Sequence, residues 1–464
     1  MELDWTQTLG AGPLLGIAAG AVALLLVLII WLRVHAFLAL VTVSVLTAFA
    51  TGIPAEYLIP TLTSGFGATL ASVALLVGLG AMLGRLVEVS GGAKALTDML
   101  IARFGEHRAP LALGVASLIF GFPIFFDAGL VVMLPIIFAV ARRLGGGILK
   151  YALPAAGAFS VMHIYVPPHP GPVAASTLLG ADVGLVVALG LLVAIPTWYV
   201  TSYLFGLWVG RRLELPVPEV LSGGPQVEDA ENPPRARTVI ALLLLPLVLI
   251  FLDTGLNTAG SAGWVDADAT WFNVARAIGS TPIALLITVF VASYVLGERR
   301  GRTRDWIEDL LDKALGPVCA IILVTGAGGM FGGVLRTSGI GEALADALSG
   351  IGLPVIVAAF FIATALRVAQ GSATVALTAA AGLVQPIVAT GDYNAVQLAA
   401  LVLSLAAGSV MASHVNDSGF WLVGRFLGMD VKTTLKTWTV METTIGLMGF
   451  GLASAIYAIA SAAS

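Results

Sequence analysis

The sequence predicts an all-α polytopic membrane protein built as an inverted repeat, with two re-entrant hairpins, two broken helices and about ten full crossings. Three observations carry that expectation. Apolar side chains make up 58% of the 464 residues and charged ones only 11%, with a mean hydropathy of +0.98, whereas a soluble domain carries about 25% charged residues. Polar clusters interrupt several apolar runs at membrane depth, where irregular backbone is tolerated only if it is buried in protein or lines a wet cavity. Motifs of the first half also recur in the second in one register, 248 positions further on.

Composition narrows the function classes. A net charge of −4 without any large basic cluster argues against a nucleic-acid partner. The single cysteine, Cys319, allows no intramolecular disulfide and reads as a packing residue. No Cys/His spacing suggests a metal, and no nucleophile–base–orienter set suggests an enzyme. Met1, Glu2 and Asp4 make an acidic start where a signal peptide is basic, so Ala11 to Trp31 reads as a retained span. The Gly-rich run Thr325 to Gly333 lies within an apolar span and suits close helix packing rather than a phosphate loop.

Taken in order, residues 1–64 read as N-terminal scaffold spans, one from Pro13 to Trp31 and one ending near Ala50. Arg33 between them is cytoplasmic by the positive-inside rule, which leaves the N-terminus and Thr51 to Ser64 outside. Residues 65–212 form the first repeat. A span from Gly65 to Val87 leads to an amphipathic surface helix over Gly91 to Phe104. A re-entrant hairpin follows over 109–141, with arms of about 14 residues against the ~20 that a crossing needs. Its middle is G-F-P-I-F-F-D, with Asp127 near the tip. A broken helix over 152–180 is interrupted at V-P-P-H-P-G-P, and the chain turns outside near Asp182 before returning to Arg211 and Arg212.

Residues 213–237 form a polar cytoplasmic linker, and 238–297 hold two central scaffold spans joined by an outer loop with Trp264, Asp266, Asp268 and Trp271. The Arg-rich loop Glu298 to Arg304 is cytoplasmic. The second repeat, 298–464, then carries a hairpin over 354–388 with A-Q-G-S-A-T at its tip. A broken helix over 395–428 follows, interrupted by S-H-V-N-D-S-G-F, and the C-terminus lies outside. The register pairs Met82 with Met330, Ser90-Gly91 with Ser338-Gly339, Asp98 with Asp346 and Asp182 with Asp430. One inserted residue also pairs Ser160-Val161-Met162 with Ser409-Val410-Met411. Equal halves entering from opposite sides are a common plan of secondary transporters.

The four polar breaks are expected to converge at the midplane. Ser372 and Thr374, beside Gln370 and Gly371 at the start of a half-helix, suit an anion, because orphan N–H groups and the helix dipole both point at it. Their alternative role is local hydrogen bonding. Arg367 either neutralises Asp417 or Asp127, or clamps a substrate carboxylate in bidentate fashion, and the sequence leaves both open. Asp127 and Asp417 are the carboxylates assigned to breaks. Asp417 is slightly favoured as proton carrier because Asn416 and Ser418 flank it, with His163 and His414 as further candidates. His169 is expected at the substrate, and for each histidine a satisfied structural role is the alternative.

The motifs G-F-P-I-F-F-D-A-G, V-P-P-H-P-G-P-V-A, A-Q-G-S-A-T-V-A and S-H-V-N-D-S-G-F-W resemble the gluconate permease family of bacterial sugar-acid:proton symporters. The resemblance implies a carrier of gluconate or a related small carboxylate in the bacterial inner membrane. The proton would be its coupling ion, with no other cofactor. It further implies a homodimer in the bilayer, with a transport domain of hairpins and broken helices moving past a scaffold in elevator fashion. Two departures stand out: Asp127 where the family is expected often to carry Glu, and the segment S-V-M-H-I-Y before V-P-P-H-P. Other hexonates, fructuronate, glycerate and D-serine are substrate alternatives. An anion channel would need a continuous polar lining, and a receptor-like sensor an output domain larger than Leu213 to Arg237.

Overall fold

The computed structural model describes residues 5–92, 95, 98, 99, 102, 105–122, 125–167, 169–218, 233–261, 264–266, 268–340, 343, 354–389 and 391–462, and no strand occurs among them. The first half comprises α1 (Ala11–Leu26), α2 (Ala36–Ala50), α3 (Ala55–Val89), α4 (Ala109–Gly121), α5 (Phe126–Leu144), α6 (Leu149–Tyr165), α7 (Pro170–Leu179), α8 (Val183–Trp198) and α9 (Phe205–Arg212). The centre holds α10 (Ala236–Ser261), α11 (Thr270–Gly279) and α12 (Thr281–Ala292). The second half comprises α13 (Arg304–Thr337), α14 (Val355–Gln370), α15 (Ala373–Ala389), α16 (Ala395–Val410), α17 (Ser418–Phe426), α18 (Val431–Thr434) and α19 (Val440–Ala462). A π-type turn, Tyr199–Leu204, joins α8 to α9, and another, Leu435–Thr439, joins α18 to α19.

Among the described residues seven helical segments are long and apolar enough to cross a membrane, so this is a multi-pass membrane protein. The longest are α3 and α13, with 35 and 34 residues. At 1.5 Å per residue each reaches roughly 50 Å, more than the ~30 Å hydrocarbon core. The two pack on each other through glycines: a Cβ on Gly65 would sit 3.3 Å from Gly333 Cα. The core centres on α6 and α16, which are buried along nearly their whole length, with Tyr151, Phe159 and Tyr165 fully enclosed. Alanine, glycine and serine dominate α16, and small side chains let helix axes approach closely.

Several boundaries differ from expectation. The turn at Gly52 (φ 80°) and Pro54 breaks the chain earlier than expected. Tyr57, Leu58, Ile59 and Leu62 therefore continue an apolar helix from Ala55 rather than from Gly65. α5 has 19 residues rather than about 14, because Arg142 and Arg143 complement the negative end of its dipole and extend the last turn. Gly145 at φ 68° then stops it. α10 runs past Leu252 because Asp253 within it is paired by Arg276 of α11 at 2.8 Å, so the outer loop is partly helical. Cys319 is exposed, and packs no interior. The surface helix over Gly91 to Phe104 falls mostly outside the described residues, as do most of the linker 213–237 and Asp346.

Positions 248 apart share backbone details. Ser90 and Ser338 each follow a long helix, their hydroxyls donating to the Val87 and Leu335 carbonyls at 3.0 Å. Gly91 (φ 77°) and Gly339 (φ 72°) come next, and Gly180 (φ 67°) corresponds to Gly428 (φ 68°). Asp182 and Asp430 both cap helix N-termini, each accepting a backbone N–H at 2.7 Å.

Candidate functional site

The second half contributes two interruptions that meet. α14 stops at Gln370 because Gly371 adopts φ 77°, and a Cβ there would press on the Asn416 carbonyl, so only glycine fits. α15 restarts two residues later. The other interruption, between Val410 and Ser418, includes Ala412 at φ 49°, a left-handed conformation that a non-glycine residue holds only when its surroundings fix it. Asp417 closes this break by capping α17, accepting the Gly419 N–H at 3.0 Å.

Side chains tie the two breaks together. The Arg367 guanidinium, 3% exposed, donates to the Asp417 carboxylate and to the Gly371 carbonyl. Ser413 donates to Asp417 at 2.5 Å, and the Trp438 indole donates to Ser413 at 2.8 Å. The last carbonyls of any helix lack intrahelical donors; here Asn416 Nδ2 reaches the Val368 carbonyl at 2.7 Å and His414 Nε2 reaches it at 3.0 Å. α13 presses against both breaks at Gly332, where a Cβ would lie 3.0 Å from the Gln370 oxygen and 3.1 Å from the Asn416 oxygen.

A cavity of about 750 Å³ opens beside this junction, a volume that suits a small organic ligand. Asp127, His163, Arg367, Thr374 and Asp417 line it, together with Gln370, Gly371, Ser372, Asn416 and Ser418. His163 meets Thr374 across it, Nε2 to Oγ1 at 3.2 Å, which links α6 of the first half to α15 of the second. His169 and His414 do not line it. His169 is buried behind His163, ring centroids 4.9 Å apart, and its Nε2 engages the Gly121 carbonyl at the end of α4 at 2.8 Å. Its imidazole serves a helix end rather than the cavity, and so does that of His414.

The charges in the wall do not balance. Arg367 is paired with Asp417, and Asp253 with Arg276. Asp127 forms no hydrogen bond or ion pair among the described residues. Glu442 of α19, 2% exposed, accepts from Ser160 at 3.0 Å through Oε2, while Oε1 has no partner among the described residues. Arg336 at the end of α13 makes one long hydrogen bond, 3.4 Å to the Gln370 carbonyl, and no ion pair among the described residues. Sequence reasoning missed Glu442 and Arg336. A lone acid within the apolar run Val440–Ala462 was the available signal for the first, since ionisable groups at membrane depth mark function. No set of three His, Cys, Asp or Glu among the described residues is arranged to hold a metal.

A multi-pass helical protein with a cavity between interrupted helices, into which charged side chains project, has the construction of a membrane permease. Residues 12–459 match the GntP family permease model, and the chain belongs to that family. It is 40% identical over 456 residues to the inner membrane permease YgbN of Escherichia coli (strain K12), covering 96% of this chain and 99% of that one. Over 432 residues it is 38% identical to the low-affinity gluconate transporter of the same organism, covering 93% and 95%. The Gnt-II system L-idonate transporter of that strain is 37% identical over 441 residues, covering 94% and 97%.

Proposed function

We propose that this permease carries gluconate or a close aldonate across the bacterial inner membrane by proton symport. The imbalance of charge in the cavity wall carries the coupling part of the reading. Once the paired charges are set aside, Asp127 and Glu442 stand against Arg336 alone. A substrate anion entering beside two uncompensated carboxylates needs positive charge to accompany it, and protons supply it. Asp417, slightly favoured from sequence, is occupied by Arg367 and Ser413, so Asp127 and Glu442 are the better proton carriers. The relatives' names for gluconate and L-idonate support the substrate class.

The architecture belongs to the same proposal: an inverted repeat with α4–α5 and α14–α15 as the hairpins, α6–α7 and α16–α17 as the broken helices, about ten crossings, and both termini outside. The matching caps at Ser90/Ser338, Gly180/Gly428 and Asp182/Asp430 support the repeat. The substrate reading is tested by counterflow in proteoliposomes loaded with gluconate and challenged with labelled gluconate, idonate, glycerate and D-serine. Exchange of the two hexonates above the other two is expected. Exchange of D-serine or glycerate alone would replace the aldonate reading.

A further inference from the structure

Two arginines line the cavity among the described residues, and their situations differ. Arg367 is already bound to the Asp417 carboxylate and the Gly371 carbonyl, and at 3% exposure it has no freedom to turn. Drawing it to a ligand would leave Asp417 buried and unpaired, which costs several kcal/mol. Arg336 carries five N–H donors and, among the described residues, uses one, in a long contact to the Gln370 carbonyl. Its guanidinium lies over Gly332 and Gly333, where added Cβ atoms would come within 4.0 and 3.9 Å of its terminal nitrogens. The wall also holds Gln370, Ser372 and the first turn of α15, where Ser372 Oγ takes the Val375 N–H at 3.4 Å and the N–H groups before it have no intrahelical acceptor.

We propose that Arg336, rather than Arg367, receives the substrate carboxylate, and that the hydroxylated chain of the acid extends toward Asp127 and Ser160–Glu442. The carboxylate would lie between a planar donor fork and the N-terminal turn of α15, both of which favour anions. Asp127 and Glu442, lining residues on other helices and without ion-pair partners among the described residues, accept hydrogen bonds from hydroxyl groups and so suit the hydroxylated part of the substrate. This rests on the sugar-acid reading given above.

The test compares gluconate with its neutral amide, gluconamide, as competitors of gluconate counterflow in proteoliposomes of the full-length protein. Arg336→Gln weakens gluconate roughly ten- to a hundred-fold, the loss expected when hydrogen bonds to a charged group disappear. It leaves inhibition by gluconamide unchanged, so discrimination between acid and amide collapses, and Arg336→Lys restores part of it. A merely structural arginine would lower both affinities together; that result, or an unchanged gluconate affinity, overturns the proposal. If Arg336→Gln does not fold, Arg336→Lys decides by the same acid-to-amide ratio. Wild-type protein that exchanges no sugar acid brings down the substrate reading and the anchor with it. Wild-type exchange with an unaltered variant brings down the anchor alone.

Discussion

Arg367 and Asp417 show what a buried charge requires of its neighbours. Arg367 lies in an apolar helix and Asp417 in the polar run between α16 and α17, and the two form one buried ion pair. Removing one member strands the other, so Arg367→Met and Asp417→Asn should each lower unfolding stability in detergent by about 3–5 kcal/mol. The double variant should cost clearly less than the two losses combined, because it buries no unpaired charge. Strictly additive losses would mean that the two are not coupled. Both residues were legible in the sequence, Arg367 as a charge inside an apolar run and Asp417 as the acid of a polar break. Which acid Arg367 serves was not, since Asp127 and Asp417 are equivalent until the breaks are brought into contact. Glu442 and Arg336 escaped notice because neither sits beside a break. His169 does sit in one, but the local sequence could not reveal that the Gly121 carbonyl would take its ring nitrogen.

Helix interruptions organise the molecule at the level of elements, and most were readable from Gly, Pro and Asn/Asp clusters within apolar runs. Gly371 and the polar run before Ser418 end helices where the residue types demand it. Lengths were less legible. α5 and α10 run on because Arg142 and Arg143 complement a helix end and Arg276 neutralises Asp253, and neither pairing is visible from the segment alone. The expected orientation of these elements follows from arginine-rich loops and is open to direct labelling. Cys319 is exposed and is first replaced by serine. Single cysteines at Arg142 should then react only from the cytoplasmic side, and at Asp268 only from outside. Reaction of both from one side would contradict the inverted arrangement.

For the whole molecule, the consequence is a set of broken elements connected to one another within each half and between the halves. Arg367–Asp417 joins the two breaks of the second half, His163–Thr374 joins α6 to α15, and His169 holds the end of α4. His163–Thr374 and Ser160–Glu442 thereby couple elements of the two halves around the cavity, to which α13 contributes Gly332 and Arg336. Under the proposed proton symport, Asp127 and Glu442, which have no ion-pair partner among the described residues, are the groups that would carry the proton. The most direct measurement is gluconate accumulation against exchange in the same proteoliposomes, under an imposed pH gradient, for wild type and for the Asp127→Asn, Glu442→Gln double variant. Wild type should concentrate gluconate when the outside is acidic. The double variant should still exchange gluconate, at lowered affinity because hydroxyl acceptors are lost but without any need for net proton movement, and should fail to concentrate it at saturating gluconate. Accumulation that persists in the double variant, or that follows sodium rather than pH, would contradict the account.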